Sequence, residues 1–365
     1  MKKRQLISFL ILLTCFVNLK AQSTDVFNRK NIKSKMLKVA AWQLKNPNHE
    51  LTDWTNGAFY AGVFAAYETT KSKEILAALM EMGEKNKWQT GKRFDHADDI
   101  AISQTYIDLY RLKKERKMIQ PTINAIRRIQ TEKSSEVEKH GIIWWWCDAL
   151  FMAPPTFAKL GKTTGDKTYF ELNDKFFAET YDLLYNREEH LFARDASYLI
   201  NEKSEGKKEA NGKKVFWSRG NGWVAGGLVR LLKELPKGYP KRAFYENIYK
   251  EMMERVVSLE QADGLWRSSL LDPESFPGGE ASGSGFYCYA LAWGINNKIL
   301  DRNKYLPAVK KAWTGLNKLV TETGKVGWTQ PIGADPRKNF DAESWEVYGA
   351  GAFLLAGSEV AKIKF

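Results

Sequence analysis

One short segment of the sequence places a carboxylate behind a run of aromatic residues, as proton transfer to a sugar would require. Asp148 follows Cys147 and three consecutive tryptophans, Trp144 to Trp146. Aromatic side chains that exclude water raise the pKa of a neighbouring carboxyl toward the working range of a general acid. Indole rings also pack on the apolar C–H faces of pyranose rings. We therefore predict Asp148 as the proton-transfer residue; the alternative is that it only caps a helix beginning at Ala149.

A second pair of carboxylates, Asp98 and Asp99, stands at the start of another apolar segment. Acidic residues at a helix start also complement the helix dipole, so this position alone does not indicate chemistry. Together with Asp148, one member of the pair becomes the natural second carboxylate, and the sequence leaves open which one. His96, close before the pair, could reach the same place or could lie at the surface.

Other aromatic and basic residues could hold an anionic sugar. Arg219 lies between Trp217 and Trp223 in a glycine-rich turn, where a guanidinium could grip a carboxylate through two hydrogen bonds. The alternative for this arginine is a structural salt bridge. A short hairpin is expected near 193–216, and further substrate contacts are predicted for Trp54, Trp146, His190 and Arg194.

Two kinds of segment alternate along the chain and must position these residues. The first kind is apolar on all sides, as in a buried helix, and covers 54–68, 99–112, 148–160, 220–232, 282–296 and 345–360. The second kind is amphipathic, as in a covering helix, and covers 32–44, 72–85, 120–131, 167–185, 241–259 and 303–321. Six inner and six outer helices predict an all-α fold, an (α/α)6 barrel, with an α-solenoid of helical pairs as the alternative.

The loops that enter the inner helices of such a barrel ring one mouth. Because the candidate residues stand at the starts of the inner segments, we expect them to meet there, with tryptophans as walls and carboxylates as floor. No linker rich in proline, glycine or serine interrupts residues 22–365, which predicts a single catalytic domain.

The first 21 residues have the pattern of a secretory signal peptide. Basic residues at 2–4 precede an apolar run at 6–17, and the small residue Ala21 precedes Gln22. The run is shorter than the roughly 20 apolar residues of a membrane span. We expect an exported protein, periplasmic or secreted, without a membrane span.

The rest of the chain is basic and favours anionic partners. Four basic residues of the signal peptide account for part of the formal net charge of +13 and leave +9. Lysines and arginines are spread over the amphipathic segments, which argues against nucleic acid and favours an anionic oligosaccharide. The cysteines and the four histidines show no metal-ligand spacing, so we predict no metal and no cofactor. The sequence does not indicate the oligomeric state.

Six motifs resemble those of glycoside hydrolase family 105, the unsaturated rhamnogalacturonyl hydrolases, and more distantly the unsaturated glucuronyl hydrolases of family 88. They cover most of the chain after residue 21. The motifs are A-D-D-I-A-I-S-Q-T-Y (97–106), W-W-C-D-A-L-F-M-A-P-P (145–155), W-S-R-G-N-G-W (217–223), S-G-S-G-F-Y-C-Y-A-L-A-W-G-I (282–295), Q-P-I-G-A-D-P (330–336) and Y-G-A-G-A-F-L-L-A-G-S-E-V (348–360).

The resemblance implies an (α/α)6 barrel that removes a terminal 4,5-unsaturated uronic acid from the products of a polysaccharide lyase. An acid protonates C4, water adds at C5 and the resulting hemiketal collapses, without a metal or an organic cofactor. By motif, Asp148 would be the acid/base and Asp99 or Asp98 the second carboxylate. The ring would be held by Trp146, Trp217 and Trp223, and the uronate by Arg219.

One departure from the family bears on the substrate. Relatives that act on pectin fragments commonly carry a histidine in the L-F-x-x segment where this chain has Arg194. The extra cation and the net charge favour an unsaturated uronate linked to a 3-sulfated rhamnose, as in ulvan, over an unsulfated rhamnogalacturonan fragment. The alternatives from other classes are a non-catalytic glycan-binding protein, which would not need Asp148, and a polysaccharide lyase with a Tyr, His or Lys base.

Overall fold

Helices dominate the part of the chain that the computed structural model describes, which is residues 25–200, 202 and 204–365. The predicted signal peptide lies outside these residues, so export stays a prediction, as does the single domain over 22–365. None of the helices within the described residues is long and apolar enough to cross a membrane.

The described helices alternate between the outside and the inside of a ring. In chain order they are α1 (Arg29–Lys45), α2 (Trp54–Thr70), α3 (Lys73–Lys85), α4 (Ser103–Lys113), α5 (Gln120–Thr131), α6 (Ser135–His140), α7 (Ala149–Met152), α8 (Pro154–Thr164), α9 (Thr168–Leu184), α10 (Ser218–Leu232), α11 (Arg242–Ser258), α12 (Ala281–Asn296), α13 (Arg302–Lys318) and α14 (Val347–Val360). The connections hold two strands, β1 (Tyr185–Asn186) and β2 (Leu191–Phe192), and 3-10 helices at Ala97–Ile100, Arg116–Met118, Ala196–Tyr198 and Pro273–Ser275.

The inner ring consists of α2, α4, α7 with α8, α10, α12 and α14, and each of these contacts its neighbours around the ring. The ring closes because α14 packs against both α12 and α2. The outer helices α1, α3, α5, α9, α11 and α13 cover it, with one buried stripe each; on α3 this stripe includes Ile75, Leu79 and Met82. The predicted (α/α)6 barrel is therefore confirmed.

Small residues let the inner helices approach closely. A Cβ atom at Gly62 of α2 would clash with the backbone of Gly351 on α14, and a Cβ at Gly285 of α12 would lie 2.8 Å from the Cβ of Ala352. Contacts shorter than about 3 Å between such atoms are not tolerated in a packed interior. The glycine-rich composition of the inner segments thus sets the narrow width of the barrel.

One inner helix is broken, in contrast to the continuous helix predicted for 148–160. The chain leaves α7 at Ala153, and Pro154 opens α8. Proline has no N–H, so Pro154 and Pro155 cannot donate to the carbonyls of the preceding turn, but proline is well suited to the first helical position. The break leaves Asp148 at the start of a single short turn that points into the barrel mouth.

The predicted hairpin near 193–216 is wrong in position. The paired strands lie earlier, with Tyr185 opposite Phe192 and Asn186 opposite Leu191. Within the described part of 193–216, the one bridge that joins two residues of this stretch is that between Lys208 and Lys214. This stretch is rich in lysine and glutamate and has few apolar side chains to bury, so a sheet face cannot form.

Candidate active site

Asp148 begins α7 at the mouth of the barrel, and its side chain is 12% exposed. Its carboxyl makes no hydrogen bond to the amides of the helix, so the interpretation of Asp148 as a mere helix cap is wrong. Instead, the Cys147 thiol donates to Oδ2 over 3.5 Å, and the Nε atom of Arg194 lies 3.9 Å from the same oxygen. The carboxyl is held at the mouth but left free for chemistry.

The carboxylate of Asp99 forms hydrogen bonds and an ion pair with Arg93. The backbone N–H of Arg93 donates to Oδ2 (2.7 Å) and its side-chain Nε donates to Oδ1 (3.0 Å). The backbone carbonyl of Asp99 also accepts from the Gly91 N–H (2.7 Å). These bonds fix the loop before the 3-10 helix at Ala97–Ile100 and favour a structural role for Asp99; its role as a catalytic carboxylate stays a prediction.

Asp98 is the carboxylate that lies near Asp148. Its side chain is 19% exposed and accepts no hydrogen bond among the described residues. Burial and the charge of Asp148 raise the pKa of Asp98 to about 8. Burial also raises the pKa of Asp148, although the charges of Arg194 and Arg219 oppose it. With a pKa of about 8, the Asp98 carboxyl keeps its proton at neutral pH, and the nearby charge of Asp148 favours this.

His96 lies at the mouth, beside this pair. Its Nδ1 accepts a hydrogen bond from the Asp98 N–H (3.3 Å), which leaves the ring proton on Nε2. Burial and the nearby charge of Arg93 lower the pKa of His96, which favours the neutral form of the ring. The imidazole packs on Trp146 with 4.7 Å between ring centroids.

The loop after β2 brings Arg194 to the mouth. Asn221 of α10 accepts from the Phe192 N–H (2.8 Å) and donates to the Phe192 carbonyl (3.0 Å), which fastens β2 to the inner ring. The Arg194 carbonyl then accepts from the Cys147 N–H (2.8 Å). The guanidinium bonds Asp195 (2.7 Å), while its Nε is buried without a partner among the described residues.

Aromatic residues line the same opening. Trp54, at the start of α2, is partly exposed and stacks on Tyr348, with 5.3 Å between centroids and 21° between planes. Trp145 is also partly exposed and stacks on His140 at 4.0 Å. Trp146 is only 3% exposed, so it supports Trp145 and His96 from below rather than facing a ligand.

The prediction that Arg219 grips a substrate carboxylate is wrong. Arg219 is fully buried, and its guanidinium donates to the carbonyls of Gln330 (2.5 Å) and Pro331 (3.0 Å). Its Cζ lies 4.5 Å from the centroid of the Trp217 ring. The arginine therefore holds the segment at 330–333 against the barrel, which also excludes the salt bridge considered as its alternative.

Two tryptophans predicted as ring-binding residues are too deeply buried for that role. Trp217 is 2% exposed, and Trp223 is fully buried between Phe151 and Phe286, at centroid distances of 4.9 and 4.4 Å. Large aromatic side chains at these positions fill the interior of the barrel below the mouth. Their part in sugar binding is corrected to packing.

His190 lies away from the mouth, contrary to the prediction. It ends the turn between β1 and β2, and its Nδ1 lies 3.0 Å from the Tyr185 hydroxyl and 3.4 Å from Glu251 on the outer helix α11. The strands occur earlier in the chain than expected, and this turns the residue toward the outside of the barrel.

Comparison with known proteins decides the family. Residues 27–364 match the sequence profile described as Glycosyl Hydrolase Family 88. The chain belongs to this family. The predicted resemblance to glycoside hydrolase families 105 and 88 is therefore confirmed. The predicted enzyme class, a glycoside hydrolase, is confirmed as well.

Individual relatives of this family 88 chain agree in fold and length. An unsaturated 3S-rhamnoglycuronyl hydrolase from Formosa agariphila is 44% identical over 99% of this chain and 98% of that protein. The solved structure of a family 88 glycosyl hydrolase from Bacteroides vulgatus is 29% identical, with a TM-score of 0.84 over 92% of this chain and 99% of that one. A structure named as a polysaccharide lyase is 32% identical, with a TM-score of 0.84 over 91% and 97%.

Several residues at the family 88 mouth escaped prediction from the sequence. Arg93 forms an ion pair with Asp99, but no regular spacing in the sequence links the two residues. Trp145 belongs to the same motif as Trp146 and is the more exposed of the two. Glu136 accepts from the Trp145 indole N–H (2.7 Å), and Asp195 forms a bridge with Trp146. The sequence feature that could have indicated Asp195 is that it follows the oppositely charged Arg194 directly. No group of three or more potential metal ligands occurs among the described residues.

Replacing Arg219 with methionine is expected to destabilise this family 88 enzyme by about 2–4 kcal/mol. The apolar side chain would leave buried carbonyls without their donors, and each such loss costs about 1–3 kcal/mol. Urea unfolding followed by circular dichroism measures the change. The exposed Arg187→Met variant removes the same charge and should shift the midpoint little. An unchanged midpoint for Arg219→Met would refute the structural role.

Proposed function

We propose that this family 88 enzyme removes a terminal 4,5-unsaturated uronic acid from oligosaccharides by hydrating the C4=C5 double bond. The observation that carries the proposal is that Asp98 and Asp148 lie together at a mouth lined by partly exposed tryptophans, where burial and the charge of Asp148 raise the pKa of Asp98. The relative from Formosa agariphila, an unsaturated 3S-rhamnoglycuronyl hydrolase at 44% identity, supports this class of substrate.

A carboxyl pair that shares one proton can perform both halves of the hydration. The protonated carboxyl delivers its proton to C4, and the ionised carboxyl takes a proton from the water that adds at C5. The pair ends each cycle with one proton, so no further acid or base is consumed. The C5 hemiketal then opens and releases the neighbouring sugar. We assign the proton transfer to C4 to Asp148 because it follows the three tryptophans directly, with Asp98 as the neighbouring carboxyl from which its proton is replenished.

Arg194 is the residue that we propose for the anionic part of the substrate. Its side chain is 20% exposed, its Cζ lies 5.4 Å from the Trp145 ring centroid, and Nη1 bonds Asp195, which leaves Nη2 for a ligand. A guanidinium beside an aromatic face suits a carboxylate or a sulfate ester. A uronate linked to 3-sulfated rhamnose, as in ulvan fragments, is therefore the proposed substrate, and an unsulfated rhamnogalacturonan fragment is the second candidate.

The ultraviolet absorbance of the C4=C5 double bond provides the direct test. The purified protein is mixed with lyase-generated oligosaccharides from ulvan in one cuvette and from rhamnogalacturonan in another. Loss of absorbance is the expected result, with the faster loss for ulvan fragments. Faster loss with rhamnogalacturonan fragments would reverse the order of the two candidates. Constant absorbance in both cuvettes would refute the proposed chemistry.

Replacing Arg194 with glutamine is expected to raise KM for the sulfated substrate by about 10- to 100-fold, the range for a lost charge-assisted hydrogen bond. Arg194 opposes the raised pKa of Asp148, so its removal raises that pKa further. The acid keeps its proton to higher pH, and the alkaline fall in kcat/KM shifts upward. Arg187→Gln is the matched control. An unaltered KM and pH profile would exclude Arg194 from the site.

We also propose that the protein is exported, with cleavage after Ala21. The proposal is supported by the basic start, the apolar run at 6–17 and the small residue before Gln22. The mass of the protein recovered from outside the cytoplasm tests it directly.

A further inference from the structure

A cavity of about 400 Å³ lies at the end of the barrel opposite the mouth. The inner helices begin at the mouth, and residues from their second halves line this cavity. They include Asp108 of α4, Lys159 of α8, Arg230 of α10, Tyr289 of α12 and Ser358 of α14. The cavity is therefore separate from the carboxyl pair and shares no residue with it.

Arg230 is the central feature of this cavity. It is only 8% exposed, and its Nε donates to the Gln104 Oε1 atom (2.5 Å). Gln104 is itself fixed by its bond to the Phe151 carbonyl (2.8 Å). The Nη2 atom is buried without a hydrogen-bond partner, and no carboxylate of the described residues lies within ion-pair distance. A buried cation with an unused donor calls for an anion, because an unpaired charge is costly in the interior.

The carboxylates nearest to Arg230 are already taken by other cations. Asp108 binds Lys159, and Glu234 accepts from both terminal nitrogens of Arg111 at 3.0 Å. Lys233 is paired with Glu359 at 3.0 Å. Arg230 therefore cannot be neutralised by a small movement of a side chain that is otherwise free.

Two further observations point to an occupant from outside the chain. The hydroxyl of Tyr289, which lines the same cavity, is buried and has no hydrogen-bond partner among the described residues. Basic residues outnumber acidic ones by seven to three along the lining. Hydrogen-bond donors without partners that converge on a basic cavity are typical of a site that binds an oxyanion.

We propose that this cavity binds a small oxyanion, a sulfate, phosphate or carboxylate group, through Arg230 and Tyr289. The guanidinium offers its terminal N–H donors, the phenol offers its O–H, and the ammonium of Lys233 lies beside the Tyr289 ring at 5.8 Å from the centroid. The bound anion completes the hydrogen bonding of both side chains. The site is independent of hydrolysis at the mouth.

Calorimetric titration of the purified full chain tests the proposal. Sodium sulfate, sodium phosphate and sodium glucuronate are titrated separately into the protein in chloride buffer at constant ionic strength. At least one of them is expected to saturate a single site, and the arm that binds identifies the class of anion. Absence of saturable binding in all three arms would overturn the proposal. The basic residues of the cavity would then only complement the partial negative charge at the C-terminal ends of the inner helices.

Two variants locate the binding. Arg230→Gln is expected to weaken it by at least about tenfold, the effect of losing a charged donor, while hydrolase activity is retained. Tyr289→Phe removes only the unused hydroxyl and should weaken binding several-fold without loss of stability. Arg187→Gln is the charge-matched control. Wild-type affinity in Arg230→Gln would overturn the proposal; if that variant does not fold, wild-type affinity in Tyr289→Phe would do so.

Discussion

The Asp148→Asn variant is expected to lose at least about a thousandfold in kcat while keeping its fold. An amide cannot release a proton to C4, and general acid catalysis by a positioned side chain contributes about 10²–10⁴-fold. The loss should fall in the upper part of that range because the same group is also half of the proton-sharing pair. Stability should change little, since the Asp148 carboxyl makes no capping bond to α7.

The loss is measured as the initial rate at which the C4=C5 absorbance disappears. Asp182→Asn, on the exposed side of α9, is the matched control and should behave as the wild type. Circular dichroism of both variants separates chemistry from folding. If Asp148→Asn retained more than about a tenth of the wild-type kcat, the protein would be using another acid, and the proposed assignment would be wrong.

Asp98→Asn is expected to lower kcat by about 10²–10³-fold, whereas Asp99→Asn should act mainly on stability. The structure leaves the Asp98 carboxyl without a hydrogen-bond partner among the described residues but ties Asp99 to Arg93. The charge of one carboxyl raises the pKa of the other. Without the ionisable group at 98, Asp148 gives up its proton at lower pH, so the alkaline fall in activity shifts downward.

Comparing the two variants decides which aspartate is the second carboxylate. Full pH profiles of kcat/KM and urea midpoints are measured for both. A downward shift confined to Asp98→Asn, with a lower unfolding midpoint confined to Asp99→Asn, supports the assignment. The opposite distribution would return the catalytic role to Asp99 and make Asp98 the structural member of the pair.

The helices were predictable because their signals are local. Apolar periodicity and small residues predicted the position of every inner segment. The outer helix α5 begins and ends at the residues predicted for the segment 120–131. The break before Pro154 was also visible in the sequence and was missed only because the apolar pattern continues across it. Asp148 was predictable for a similar reason, since the tryptophans that shield it are its chain neighbours.

The remaining site residues depend on partners far away in the chain. The role of Arg219 is set by carbonyls at 330–333, more than a hundred positions later, and no spacing rule reports that contact. Asp98 and Asp99 are equivalent by sequence, and the backbone and side-chain hydrogen bonds from Arg93 to Asp99 separate them. The position of His190 was predicted wrongly because it lies in the turn between β1 and β2. These two short strands form a hairpin earlier in the chain than expected.

Position 194 is held by atoms that every amino acid possesses. Its carbonyl accepts from the Cys147 N–H, and the neighbouring Phe192 backbone is fastened to Asn221, so neither bond depends on the side chain at 194. Exchanging that side chain should leave the backbone that carries Asp148 in place. The charge that meets the substrate can therefore change at position 194 while the backbone beneath the carboxyl pair stays in place.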